Sequence, residues 1–159
     1  MEKLIDDITN YLKEKFNQEK NQQLSKNGID LELPDIKEFY TYEPTAPQKY
    51  PCIAIVGQRN NLDLRNISNN NGKVQYTNTY LVRIYIMQQN NSRGDILERQ
   101  MYRYVDTIIN LFSSIESFYF GNSYKCMIKS PVSYLSPSAK NISAYFKMAV
   151  IDLEFENIC

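Results

Sequence analysis

The stretch from Val74 to Met87 limits the possible folds of this chain more than any other. Val74, Tyr76, Tyr80, Val82, Ile84 and Ile86 fall on one parity and Leu81, Arg83, Tyr85 and Met87 on the other, the two-residue period of a β-strand with distinct faces. At about 14 residues, roughly 45 Å if straight, it exceeds the usual length of about 5–6 residues and is expected to project beyond its sheet. An apolar strand face of this kind must be covered, so the question becomes what else the chain supplies.

Two segments supply helices. Leu4, Ile8, Leu12 and Phe16, with Ile5 and Tyr11 beside them, follow the i, i+4 spacing of one helical face, predicting an amphipathic helix from about Glu2 to about Glu19. Ile96, Leu97, Met101, Tyr104, Val105, Ile108, Ile109 and Phe112 form a second, broader apolar face, with Asn91-Ser92 as its expected cap and Asp95 and Glu98 near its start.

The remaining segments read as strands and connections. Asn27-Gly28 offers a helix stop, after which Ile29, Leu31 and Leu33 alternate like a short strand. The Tyr- and Pro-rich segment Phe39 to Pro51 suits an extended path over a core. Cys52 to Val56 is a short apolar run bounded by Pro51 and Gly57, a buried strand. Gln58 to Asn71 is polar, and Asn71-Gly72 supplies a hairpin turn into the long strand, so this region is expected to protrude. Phe118–Phe120, Tyr124–Ile128 and Val132–Leu135 are separate short strand candidates, broken by Gly121 and Pro131. In Ile142 to Phe155 the apolar parity switches near Ile151, which a bulge or a change of neighbour would explain. The expected fold is one α+β domain over residues 1–159, a mainly antiparallel sheet with two amphipathic helices on one face and a protruding hairpin or loop.

Composition removes most special classes. The chain has 159 residues, 13 Tyr, 7 Phe, and 18 acidic against 18 basic side chains, which suits a packed core and gives no long-range attraction to phosphate or anionic lipid. No apolar stretch approaches the roughly 18 residues of a membrane span, and the charged first residues do not resemble a secretory leader. The expectation is a soluble chain with no membrane partner. There is no His, which removes Ser-His-Asp and Cys-His catalysis and His-ligated zinc. Cys52, Cys126 and Cys159 are widely spaced and odd in number, so they read as reduced thiols, with Cys52 in a small apolar role. No catalytic, cofactor-binding or metal residue is expected, and the chain reads as a non-enzyme.

Three groups of residues are candidates for binding. Asp152, Glu154 and Glu156 share one strand face; they suit a solvated strand end, a hard cation or a basic partner. Lys125, Lys129, Lys140 and Lys147, interleaved with Tyr124, Tyr134 and Tyr145, are the pattern a nucleic-acid platform would use, although scattered lysines on exposed strands explain them equally well. Arg59, Asn60, Asn61 and Arg65 gather hydrogen-bonding groups on the segment expected to protrude.

The whole-chain order resembles the tail terminator, or tail-completion, proteins of long-tailed bacteriophages and related contractile particles. The elements that carry the resemblance are the N-terminal amphipathic helix, the strand Tyr50 to Val56, a polar excursion, the strand Tyr80 to Ile86, the helix Arg93 to Phe112 and a final strand Tyr145 to Phe155. The resemblance implies a virion subunit, assembled in the host cytoplasm, that forms a hexameric ring on the head-proximal end of the tail tube. It implies the tail tube protein and a neck or head–tail connector protein as partners, DNA only as cargo passing through the ring, and no cofactor. On this reading Arg59, Asn60, Asn61, Arg65 and Asn69 would make subunit or tube contacts, and Arg83 would meet a neighbour's Asp152 or Glu154. Two other classes stand beside it: another neck, head-completion or baseplate subunit, and a ferredoxin-like nucleic-acid-binding module. Tyr and Lys together on one open sheet face would favour the last.

Overall fold

A computed structural model describes residues 1–45, 47, 49–65, 75–90, 93–114, 119–120, 124–136 and 145–158. The chain is α+β, and among the described residues there are two helices, α1 (Glu2–Lys26) and α2 (Gly94–Ser113). The six strands of the described residues are β1 (Glu38–Tyr40), β2 (Cys52–Arg65), β3 (Gln75–Asn90), β4 (Tyr119–Phe120), β5 (Tyr124–Leu135) and β6 (Tyr145–Ile158). They form one sheet in the order β1-β2-β3-β6-β5-β4, parallel between β1 and β2 and antiparallel elsewhere.

The alternation in β3 settles which face is covered. Val82, Ile84 and Ile86 are fully buried beneath the helices with Ile53 and Ile55 of β2 and Ala149, Ile151, Leu153 and Phe155 of β6. From α1 come Leu4, Ile8, Leu12 and Phe16, and from α2 Met101, Tyr104, Val105, Ile108 and Phe112. The helices meet through Tyr11 against Phe112, ring centroids 5.6 Å apart, and Phe16 against Tyr104 at 6.1 Å. Such aromatic pairs favour tilted or edge-on contact over a face-to-face stack.

α1 continues seven residues past the expected Glu19 because the polar run after it still has inward-facing partners. Lys20 is buried and donates to the Leu33 carbonyl at 2.7 Å and to Asp35 at 2.5 Å, while Gln23 donates to Glu19 one turn back. The helix stops where Asn27-Gly28 predicts. Gly28 takes φ +60, its N–H donates to Ser25 O, and Ile29 N–H donates to Leu24 O, a pair of bonds that closes the helix end.

Ile29 to Leu33 is not a strand. Its alternation buries Leu33, and Ile36 follows, but the Glu32 and Leu33 carbonyls accept from side chains of the helices instead of from a sheet neighbour. Gln100 donates to Glu32 O at 2.7 Å, Lys20 to Leu33 O, and the Tyr104 hydroxyl to Pro34 O at 2.6 Å; the Ile36 N–H donates to Asn17 Oδ1 at 2.9 Å. Pairing the peptide groups beside Leu33 and Ile36 in this way lets those two side chains be buried without a sheet neighbour.

Four further expectations are corrected or narrowed. The N-cap of α2 is Arg93, extended and without a side-chain cap, where Asn91-Ser92 was expected; Asp95 sits in the first turn and is held by the Arg93 guanidinium at 2.7 and 3.0 Å. That pairing draws the exposed Asp95 carboxyl down to about 2. β5 is one strand, and the break expected at Pro131 is a register shift between Lys129 and Ser133, which accommodates a residue without an N–H. β6 carries no bulge against β3, so of the two explanations for the parity switch near Ile151 it is the change of neighbour that applies. The polar excursion after Val56 is ordered strand up to Arg65, with only the tip 66–74, including Asn69 and Asn71-Gly72, outside the described residues.

Phe16 tests the helix–sheet packing, being fully buried between α1, α2 and the segment after α1. Phe16→Ala is expected to lower unfolding stability by about 3–5 kcal/mol in urea titration, whereas a loss under about 1 kcal/mol would mean the helices do not pack as described.

Candidate subunit interface

The face of the sheet away from the helices divides into an apolar half and a charged half. At the apolar end Cys52 and Ala54 of β2 stand opposite Met87 and Tyr85 of β3, all four buried, with Phe146, Met148 and Val150 of β6 beside them. Tyr40 and Tyr50 pack against this cluster, and the Tyr50 ring lies edge-on to Phe146 at 5.7 Å. The Tyr- and Pro-rich segment therefore contributes to the cover of the second face, which fits its expected extended path over a core. This is also why β6 switches parity: Phe146, Met148 and Val150 are apolar on the face that carries the Tyr50 cluster, and from Ala149 onward the apolar residues Ile151, Leu153 and Phe155 lie on the helix side.

The charged half begins one pair further along. Arg83 and Asp152 stand directly opposite, and the guanidinium donates twice to one carboxylate, Nε to Oδ1 at 2.7 Å and Nη2 to Oδ2 at 2.9 Å. This bidentate contact raises the Arg83 pKa further above its ordinary value. Lys129 of β5 reaches Glu154 at 2.9 Å, and Lys125 stands opposite Glu156. The three carboxylates do share one face, but on a central strand flanked by cations, and not at a solvated strand end. Among the described residues no group of three His, Cys, Asp or Glu side chains is placed to hold a metal.

Arg83 thus makes within its own chain the contact expected with a neighbouring subunit. Asp152 is occupied by it, and Glu154 by Lys129, a partner that a linear reading counts only as part of a loose basic stretch. Arg59, Asn60 and Asn61 are exposed on β2, as the protruding segment requires, but they do not form a single patch. A register shift between Gly57 and Arg59 places Arg59 opposite Leu81 and Asn61 opposite Thr79, on the face of the charged ladder, with Asn60 opposite Tyr80 on the other. Gly57 sits at this irregularity with the Met1 side chain against it, where an added Cβ would lie 2.9 Å from Met1 Cγ. Arg65 closes the described part of β2, opposite Gln75.

The lysines and tyrosines that would serve nucleic acid are divided between faces. Tyr124 packs on Tyr80 and Phe155 of the helix side, Tyr134 lies edge-on to Tyr102 of α2 at 5.1 Å, and Lys147 reaches Glu98 of α2 at 3.5 Å. Lys125 and Lys129 lie on the opposite face with the carboxylates, and Lys140 lies outside the described residues. Cys52 and Cys126 are buried, and burial pushes both thiols up to about 12, the reverse of what activates a nucleophile. No protein-family model matches the sequence, and no curated protein matches it.

Two measurements check this geometry. A double-mutant cycle on Arg83→Ala and Asp152→Ala is expected to give a coupling of about 1 kcal/mol that shrinks with added salt. In a Cys159→Ser background, Cys52 and Cys126 are expected to resist thiol reagents at pH 8 until the chain unfolds. Because both thiols ionise more readily in the unfolded chain, their contribution to stability is complete below about pH 8.5 and declines as pH rises toward 12.

Proposed function

We propose that this chain is a structural subunit that caps the head-proximal end of a phage or phage-like tail tube as a ring, ends tube polymerisation and joins the tail to the neck. The observation that carries the reading is the β2–β3 ribbon. It keeps strand register out to Arg65 and Gln75, well past the residues buried by the helices, and its side chains from Gln58 to Leu62 are exposed. Beyond Ala54 the outer edge of β2 has no partner strand among the described residues. A long polar ribbon with an open edge is a poor ending for a monomer and a good surface for repeated contacts. Polar and charged side chains along it, led by Arg59 and Asn61, discourage indiscriminate edge pairing and leave a specific neighbour as the match.

The mechanism is geometric. A contact between two different surfaces of the same chain, repeated by rotation, closes into a ring when the rotation divides a full turn, and closure ends growth without any chemistry. Six copies around the tube, tube protein on one side and neck protein on the other, with DNA passing through the lumen, require no cofactor and no catalytic group. Another neck, head-completion or baseplate ring would use the same surfaces and differ in its partners.

Light scattering followed by negative-stain imaging, on the protein alone and with tail tubes, is the test. A hexameric ring, free or only on tube ends, is expected. The pair Arg59→Glu and Arg65→Glu is expected to weaken that association while leaving the monomer folded. A persistent monomer that ignores tubes and binds single-stranded nucleic acid in a salt-dependent way would overturn the reading.

A further inference from the structure

Two surfaces of the chain carry charges left unmatched among the described residues. The first is a groove of about 690 Å³ beside α1 and β1, whose walls include Lys13, Lys37, Glu38, Tyr40 and Tyr42. Glu38 is engaged there by Lys49 at 3.5 Å and by the Tyr40 hydroxyl. Lys13 and Lys37 are exposed, and neither ammonium has an ion-pair partner among the described residues. The groove therefore presents two unmatched positive charges, together with the ring of Tyr42, which is 60% exposed.

The second surface is on the segment that leads from α1 toward β1. Its exposure alternates: Asp30 and Glu32 are exposed, Ile29 and Leu31 half-buried, and Leu33 buried. Both carboxylates thus face outward two residues apart, a spacing of about 6–7 Å in extended chain. Neither has an ion-pair partner among the described residues. The backbone that carries them is held in place: the Ile29 N–H donates to Leu24 O at 3.0 Å, Gln100 to the Glu32 carbonyl and Lys20 to the Leu33 carbonyl. A pair of charges fixed in advance loses less freedom on contact. Glu2 and Asp6 stand on the stripe of α1 that leads to Lys13, and Glu43 follows Tyr42, so those carboxylates share the groove's own surface.

We propose that the two surfaces meet between neighbouring copies of this chain, Asp30 and Glu32 of one copy entering the groove of the next to pair with its Lys13 and Lys37. The inference rests on the ring reading and gives it a second contact beside the ribbon. The contact joins two different surfaces of the same chain, as closure by rotation requires. Exposed ion pairs are individually weak, so their part is to select the neighbour and its register, while Tyr42 adds apolar area at the contact.

The test is a charge exchange, read by light scattering and negative-stain imaging on the protein alone and with tail tubes. Lys13→Glu with Lys37→Glu, and separately Asp30→Lys with Glu32→Lys, are each expected to raise the protein concentration at which rings form by about tenfold or more, because every junction then brings like charges together. All four side chains are exposed, so both variants are expected to keep the wild-type urea midpoint. An equimolar mixture of the two variants is expected to restore rings at the wild-type concentration. Alternating copies then meet opposite charges at every junction, and a ring of six, being even, can alternate. Rings formed by either variant alone at the wild-type concentration, or no restoration in the mixture, would overturn this inference and leave the ring reading standing. Wild-type protein that stays monomeric with and without tubes would overturn both.

Discussion

The pairing of β3 with β6 is the interaction on which the remaining structure depends. These two strands hold the centre of the sheet, in unbroken register from Thr77 opposite Ile158 to Asn90 opposite Tyr145. A slip of one residue would carry Val82, Ile84 and Ile86 away from the helices and put Arg83 beneath them, or else make the corresponding exchange in β6. The bidentate contact between Arg83 and Asp152 stands at mid-register and is satisfied only when these two residues face each other. Apolar burial on one face and an ion pair on the other therefore specify the same alignment.

That alignment produces a sheet with unequal faces. The helix face is apolar along most of its covered length and ends on the buried Gln88, which donates to Gln100 of α2. The other face is apolar only where Tyr40 and Tyr50 pack against it, and charged where nothing in the described chain lies over it. The cations and carboxylates of the charged half neutralise one another across strands, which suits a surface that is neither strongly basic nor strongly acidic, in keeping with equal numbers of acidic and basic side chains. Among the described residues, the outer edge of β2 beyond Ala54 has no partner strand, and it is there that an assembly reading has its support.

Much of this was legible in the sequence where periodicity was strong. The long alternation of β3, the apolar faces of both helices, the helix stop at Asn27-Gly28 and the antiparallel α+β class all follow from residue spacing. Legibility failed where tertiary partners decided the outcome. Ile29 to Leu33 alternates like a strand, yet Gln100, Lys20 and Tyr104 take the carbonyls of Glu32, Leu33 and Pro34 from a distance along the chain that no local pattern reveals. Lys20 reads as a solvated residue at a fading helix end and is in fact buried. The candidate interface was half visible: Arg59, Asn60 and Asn61 lie on the exposed ribbon, but the irregularity at Gly57 that sends them to different faces leaves only a single Gly as its signal. Arg83 was expected to meet Asp152 or Glu154 of a neighbouring subunit and pairs with Asp152 of its own chain, because adjacency in the sheet depends on strand order.

The account makes the β2–β3 ribbon the place where this protein meets its neighbours, with the β3–β6 centre as the rigid support behind it. Hydrogen–deuterium exchange, read on the protein alone and again after addition of tail tubes, tests that claim most directly. Amides of Val82–Met87 and Ala149–Phe155 should exchange slowest in both states, while those of Gln58–Arg65 exchange quickly alone and become protected on association. Protection gained elsewhere with Gln58–Arg65 unchanged would contradict it.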